Sequence, residues 1–252
     1  MDLGLAGRTA AVAAGSAGLG LASAQALAAA GVRVAICSRH ADRVEQAVAS
    51  LAPVEGGHAG LVADVGTPEG AGGFVTAVAA ALGRSPEILV TNAGGPPPGT
   101  FASTPLEAYG PALDLNLLSV VAMCTAAVPA MQADGWGRVV AITSIAVRQP
   151  VGTLILSNTA RAGATGFLKT LATEVAADGV TVNSLQPGLH ATDRLITLHG
   201  GDPAAAAATV PARRLGDPAD FGAVVAFLCS EQAKFVTGVA LQVDGGAYPG
   251  LL

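Results

Sequence analysis

Ala11-Val12-Ala13-Ala14-Gly15-Ser16-Ala17-Gly18-Leu19-Gly20 sets a glycine turn between an apolar run and an alanine-rich helical pattern. Gly15, Gly18 and Gly20 remove side chains where a backbone must approach a pyrophosphate closely. The helix that follows offers N–H groups with no partner inside the helix. With Ser16 and Leu19 between them, these residues are expected to bind the phosphates of a dinucleotide. The spacing is G-x-x-G-x-G, which departs from G-x-G-x-x-G, so the rest of the chain must decide the reading.

Outward from that turn, short apolar runs alternate with helical spacing. Residues 8–13 read as a strand and 19–30 as a helix closed by Gly31, the usual residue just past a helix end. Further strands are expected at 32–37, 61–63, 88–91, 138–143, 180–185 and 240–243, and helices at 41–51, 67–82, onward to Met131, and 156–177. Residues 92–99 carry three consecutive prolines, which cannot join a sheet interior, so this stretch is a rigid loop. Short apolar strands separated by helices imply βαβ crossovers. The expectation is one α/β domain over 1–252: a doubly wound, mainly parallel seven-stranded sheet with helices on both faces, Rossmann-like. A small substrate lid is expected at about 189–211, its alanine run at 204–208 mobile.

Composition narrows the function. Net charge is −5, with no basic run and no aromatic-interleaved basic patch, which excludes nucleic acid as a partner. Only 12% of residues are charged and 33 are glycine, a balance suited to small side chains packing helices closely onto a sheet. Cys37, Cys124 and Cys229 are odd in number and far apart, so neither a disulfide framework nor a zinc site is expected, and a reducing cytoplasm fits. His40, His58 and His199 share no ligand spacing, so no metal is expected. Residues 9–32 carry no charge, yet Ser16, Ser23 and Gln25 lie within them; strand, turn and helix explain the stretch without a membrane.

With these elements placed, the chain resembles the short-chain dehydrogenase/reductase family over essentially its full length. The family's T-G-x-x-x-G-x-G turn falls on Ala13, Ala14, Gly18 and Gly20, with alanine at its first two positions. The acidic residue after the third strand is Asp64, followed by Val65, and the family's N-A-G is Asn92-Ala93-Gly94. The helix asparagine is Asn116, and the serine ending the fifth strand is Ser144. Asn183, Pro187, Gly188 and Thr192 reproduce N-x-x-x-P-G-x-x-x-T, and Val243-Asp244-Gly245-Gly246 matches the C-terminal signature. The resemblance implies a nicotinamide cofactor held by these stretches and a small-molecule substrate. It also implies a homodimer or homotetramer; residues 156–171 offer a small-residue face, with Ala160, Gly163 and Ala164, for a two-fold interface.

The departure lies at the chemistry. The family's Tyr-x-x-x-Lys pair falls on Ser157, thirteen residues after Ser144, and on Arg161. The stretch Gly166-Phe167-Leu168-Lys169-Thr170-Leu171-Ala172 holds the register, so Lys169 is not the missing lysine. A phenol of pKa ~10, lowered by an ammonium, can deliver a proton to a forming alkoxide. A serine hydroxyl is a far weaker acid, and Arg161 holds its proton too firmly to relay one. The expected catalytic set is therefore Ser144 as donor to a substrate oxygen, Ser157 as a second hydrogen-bonding group and Arg161 as a fixed cation donating to ribose hydroxyls. Asn116, by resemblance, organises water behind the lysine position. His190, after Pro187-Gly188, is a candidate proton source because imidazole titrates near neutrality, with Tyr248 and Arg148 as weaker ones. Tyr109 matches a packing position.

Ser38 and Arg39 follow the second strand where an acidic side chain would hold a ribose 2′-hydroxyl. Serine removes the acid and arginine offers a fork suited to phosphate, so NADP(H) is expected over NAD(H). The leading expectation is an NADPH-dependent oxidoreductase acting on a carbonyl, imine or activated alkene with a non-standard proton donor. The alternatives are a non-redox catalyst on the same scaffold, such as a cyclase, lyase or isomerase, and a nucleotide-binding protein without catalysis.

Overall fold

The computed structural model describes residues 2–193, 195 and 202–251. Residues 194 and 196–201 of the expected lid, with His199, lie outside the described residues. The chain builds β1 (Thr9–Val12), α1 (Gly18–Ala29), β2 (Arg33–Ser38), α2 (Ala41–Ala49), β3 (Ala59–Val62), α3 (Pro68–Leu82) and β4 (Ile88–Thr91). It continues through α4 (Tyr109–Leu113), a π-helical turn (Asp114–Leu118), α5 (Ser119–Asp134), β5 (Gly137–Ile142) and α6 (Ile155–Val175). β6 (Val180–Pro187), α7 (Pro203–Thr209), α8 (Pro218–Cys229) and β7 (Ala240–Val243) complete it. One seven-stranded sheet has the order β3-β2-β1-β4-β5-β6-β7, and every pairing is parallel. The order reverses between β1 and β4, the switch point at which doubly wound sheets bind ligands beyond their strand carboxyl ends.

Alternation along the strands divides the core in two. Ala11, Leu89, Val139 and Val182 face Phe74, Val78, Met123, Met131 and Leu168 of α3, α5 and α6. Val12, Ile36, Val90 and Leu185 face Leu27, Phe221, Val225 and Leu228 of α1 and α8. The helical run at 106–134 is long and apolar enough to cross a membrane by composition, but here Val120, Cys124, Ala127 and Val128 cover the sheet.

Three expectations change. The alanine run is helical: α7 begins with Asp202 Oδ1 accepting from the amides of Ala204 and Ala205, both at 3.0 Å. β6 runs two residues past 185, with Pro187 as its last residue; the missing proline donor costs no ladder bond, because Gly188 N donates to Val243 O instead. Ala160 and Ala164 are fully buried within the chain, so they seat α6 on its own sheet and cannot present the expected two-fold face.

Candidate active site

The turn after β1 enters α1 without a cap. The N-cap residue is Ala17, which has no side-chain acceptor, and the first turn contains no acid. By contrast, Thr67, Asp202 and Asp217 each cap their helix with a side-chain oxygen. The first amides of α1 are thus left for a ligand, and the positive end of the helix favours an anionic one. Gly18, at φ +54°, takes the left-handed turn there. Ala14 also sits in that region, at φ +46°, where the family places glycine; the alanine is strained by about 1 kcal/mol.

The other two glycines of the turn serve packing. A Cβ at Gly20 would lie 2.5 Å from Ala14 O and 2.7 Å from Asn92 Nδ2, and one at Gly15 would lie 2.9 Å from Ile36 Cγ2. Asn92 Nδ2 donates to Ala14 O at 3.3 Å, tying the end of β4 to the turn.

A cavity of about 440 Å³ opens at the carboxyl ends of the strands. Gly18, Leu19, Asn92, Ala93, Gly94, Ser144, Ser157, Arg161, Pro187, Gly188, His190 and Thr192, all singled out from sequence, line it together. Gly15 and Ser16 of the turn and Gly20 in the first turn of α1 are not among the lining residues. Ser38 ends β2 and exposed Arg39 follows it, both outside the cavity, and exposed Asp64 accepts from Gly66 N at 2.9 Å to shape the turn after β3. Val65 is buried in the core, packed with α3, so it contributes packing to that rim. Asn116, 3% exposed, donates through Nδ2 to Gly94 O at 2.9 Å and thereby supports the N-A-G loop; its Oδ1 has no partner among the described residues.

Two residues of the reacting wall have partners that the sequence did not show. Arg161 Nη1 donates to Ile142 O at 2.9 Å and Thr143 O at 3.1 Å, so this nitrogen of the guanidinium closes the end of β5 while the residue lines the cavity. His190 is 6% exposed, with Nδ1 3.2 Å from Gly188 O and its ring edge-on to Phe221 at 5.3 Å. Burial lowers its pKa below the ordinary histidine value, against smaller opposing effects of the Gly188 carbonyl, Asp217 and Asp220. Its ring is held between the Gly188 carbonyl and Phe221 at the cavity wall.

Ser144 Oγ accepts from Ala146 N at 3.1 Å, which leaves its hydrogen free to point into the cavity. Ser157 is 6% exposed. Tyr248 N donates to Asp244 Oδ2, and its ring lies 5.8 Å from the Arg148 guanidinium; neither side chain lines the cavity. The sequence reading missed Ile142, Thr143, Leu154, Leu195 and Asp193 as lining residues. Adjacency to Ser144 and Thr192 was the available signal for Thr143 and Asp193. All three cysteines are free and buried, their thiols pushed up to about 12 chiefly by burial, so they take no part in chemistry near neutrality.

An uncapped helix start at the switch point of a parallel sheet, with the strand-end loops closing over it, defines a dinucleotide-binding protein of the doubly wound class. Residues 13–248 match the family described as Enoyl-(Acyl carrier protein) reductase. The human dehydrogenase/reductase SDR family member 4 is 36% identical, over 96% of this chain and 88% of its own. The 3-oxoacyl-[acyl-carrier-protein] reductase of Escherichia coli is 34% identical, over 96% and 98%. The L-sorbose reductase of Gluconobacter frateurii, solved as a complex with NADPH and L-sorbose, superposes with a TM-score of 0.91 at 32% identity and covers 100% of both chains. The chain belongs to the short-chain dehydrogenase/reductase family, and it is an NAD(P)H-dependent oxidoreductase.

Proposed function

We propose that this chain transfers hydride from NADPH to a carbonyl, imine or activated alkene of a small organic substrate, and that the proton comes from water, from His190 or from the substrate itself. The observation that carries the reading is the meeting, in one cavity, of the uncapped start of α1, the Pro187-Gly188 loop and the hydroxyls of Ser144 and Ser157. Gly18 and Leu19 would hold the pyrophosphate, and Asn92 to Gly94, Pro187, Gly188 and Thr192 the remainder of the cofactor. Ser38 and Arg39 would receive the 2′-phosphate. When bound, the dihydronicotinamide supplies the hydride.

The protein's own part is to orient. Ser144 and Ser157 donate hydrogen bonds to the acceptor atom as negative charge develops on it, a preorganised two-donor site. Neither hydroxyl is acidic enough to surrender its proton, so substrates with less need of one, such as iminium ions or polarised alkenes, suit the site best. Arg161 fixes the end of β5 and adds positive potential at the wall. Assembly as a homodimer or homotetramer is supported by apolar exposure at the β7 edge, where Leu241 is 42% and Phe235 fully exposed.

Deuterium carried from labelled NADPH into product, over a panel of ketones, imines and enones, tests the reading. Transfer to at least one acceptor is expected, and transfer to none overturns it. A non-redox catalyst is the second reading, favoured by the lack of any tyrosine or lysine in the described lining; turnover independent of the cofactor's redox state would establish it.

A further inference from the structure

Gln186, next to last in β6, is fully buried, and neither its Oε1 nor its Nε2 has a hydrogen-bond partner among the described residues. A buried amide without partners destabilises a fold, whereas an apolar side chain of the same length would not. Its direction follows from the strand: Val180 and Val182 face α6 and Leu185 faces away, so Gln186 points toward α6. There α6 presents Ala160 and Ala164, which offer no polar atom, and Arg161, whose Nη1 is engaged by the β5 carbonyls.

Ser157 lies on the same helix, one turn toward the cavity. Thr159, Thr165, Thr170 and Thr173 of α6 each donate back to the carbonyl four residues earlier. Ser157, in the first turn, has no such helical carbonyl to use. The residue after Gln186 is Pro187, which lines the cavity with Ser157.

We propose that Gln186 is a positioning residue: its carboxamide holds ordered water between β6 and α6, and that water bonds the Ser157 hydroxyl. Water accepts from Gln186 Nε2 or donates to Oε1, and donates its remaining hydrogen to Ser157 Oγ. The Ser157 hydrogen is thereby aimed into the cavity, at the position where the family pattern sets a phenol. The inference rests on the oxidoreductase reading for what Ser157 donates to, but not for the existence of the water.

A crystal structure of the NADPH complex, at a resolution that shows ordered solvent, decides the water. Density within hydrogen-bonding distance of both the Gln186 amide and Ser157 Oγ is expected; an amide bonded only to protein atoms, or a dry gap, overturns the proposal. Gln186→Met then tests the consequence. It is expected to keep or raise the melting temperature, to remove the water, and to lower kcat for deuteride transfer about tenfold with KM for NADPH unchanged. Ser157→Ala should cost the same, and the double variant no more. A raised melting temperature with kcat unaltered would make Gln186 a merely structural residue. If wild-type protein reduces nothing in the acceptor panel, the oxidoreductase reading fails while the diffraction result still decides the water.

Discussion

The two ends of the sheet differ in what they pair: ion pairs gather at one and an uncapped helix start lies at the other. At the amino ends of the strands, charge meets charge. Glu87, 3% exposed, is paired with Arg8 and Arg84 and accepts from Thr9 N at 3.1 Å. Trp136 lies between the guanidinium groups of Arg8 and Arg138, at 3.9 and 4.1 Å, and donates to Glu231 Oε1 at 2.7 Å. At the carboxyl ends, Thr91 Oγ1, Asn116 Oδ1 and the Gln186 amide are buried without partners among the described residues, and α1 starts uncapped. The amino end is knit by ion pairs and carries stability, although Arg33 Nε, Arg138 Nε and Thr181 Oγ1 are also buried there without partners among the described residues. The other holds hydrogen-bonding capacity in reserve, which is what a ligand site requires.

That contrast can be broken at either end. Glu87→Ala removes the shared acceptor of two arginines and is expected to cost about 3 kcal/mol in urea unfolding, with NADPH affinity unchanged. A loss of NADPH binding in folded protein would mean that the amino end also serves the site. Restoring the family pair by Ser157→Tyr with Arg161→Lys should act in the opposite sense, raising NADPH-linked ketone reduction about a hundredfold in steady-state assays. No gain would place the limit in the loops around the cavity and not in the missing phenol. The smallest effect is expected at the rim. Arg39→Ala should weaken NADPH about tenfold in calorimetry and leave NADH as it was, the loss of one charge-assisted contact.

Features carried by local sequence were legible in advance. The glycine turn, Asn92-Ala93-Gly94 and Pro187-Gly188 each shape only a few bonds of backbone, and the structure brings them to one cavity as their order along the chain implied. Ser144 was legible as a donor, and the structure adds a cap, since its oxygen accepts from Ala146 N. The packing of His190 was not legible, because the Phe221 ring comes from α8 and is adjacent only once the chain has folded. The partners of Arg161 Nη1 were not legible for a related reason: the carbonyls of Ile142 and Thr143 lie at the end of β5, a distant stretch of chain that only the fold brings to α6.

By itself, then, the sequence determined the alternation of strand and helix, the place of the dinucleotide turn, and the replacement of tyrosine and lysine by Ser157 and Arg161. Periodicity and short-range backbone geometry suffice for these. Only the tertiary structure decided which polar groups are satisfied. Hydrogen bonding and burial depend on atoms far apart in the chain, so Gln186, just past the strand expected at 180–185, carries no signal until β6 extends through it and α6 covers it, leaving its amide without a partner among the described residues.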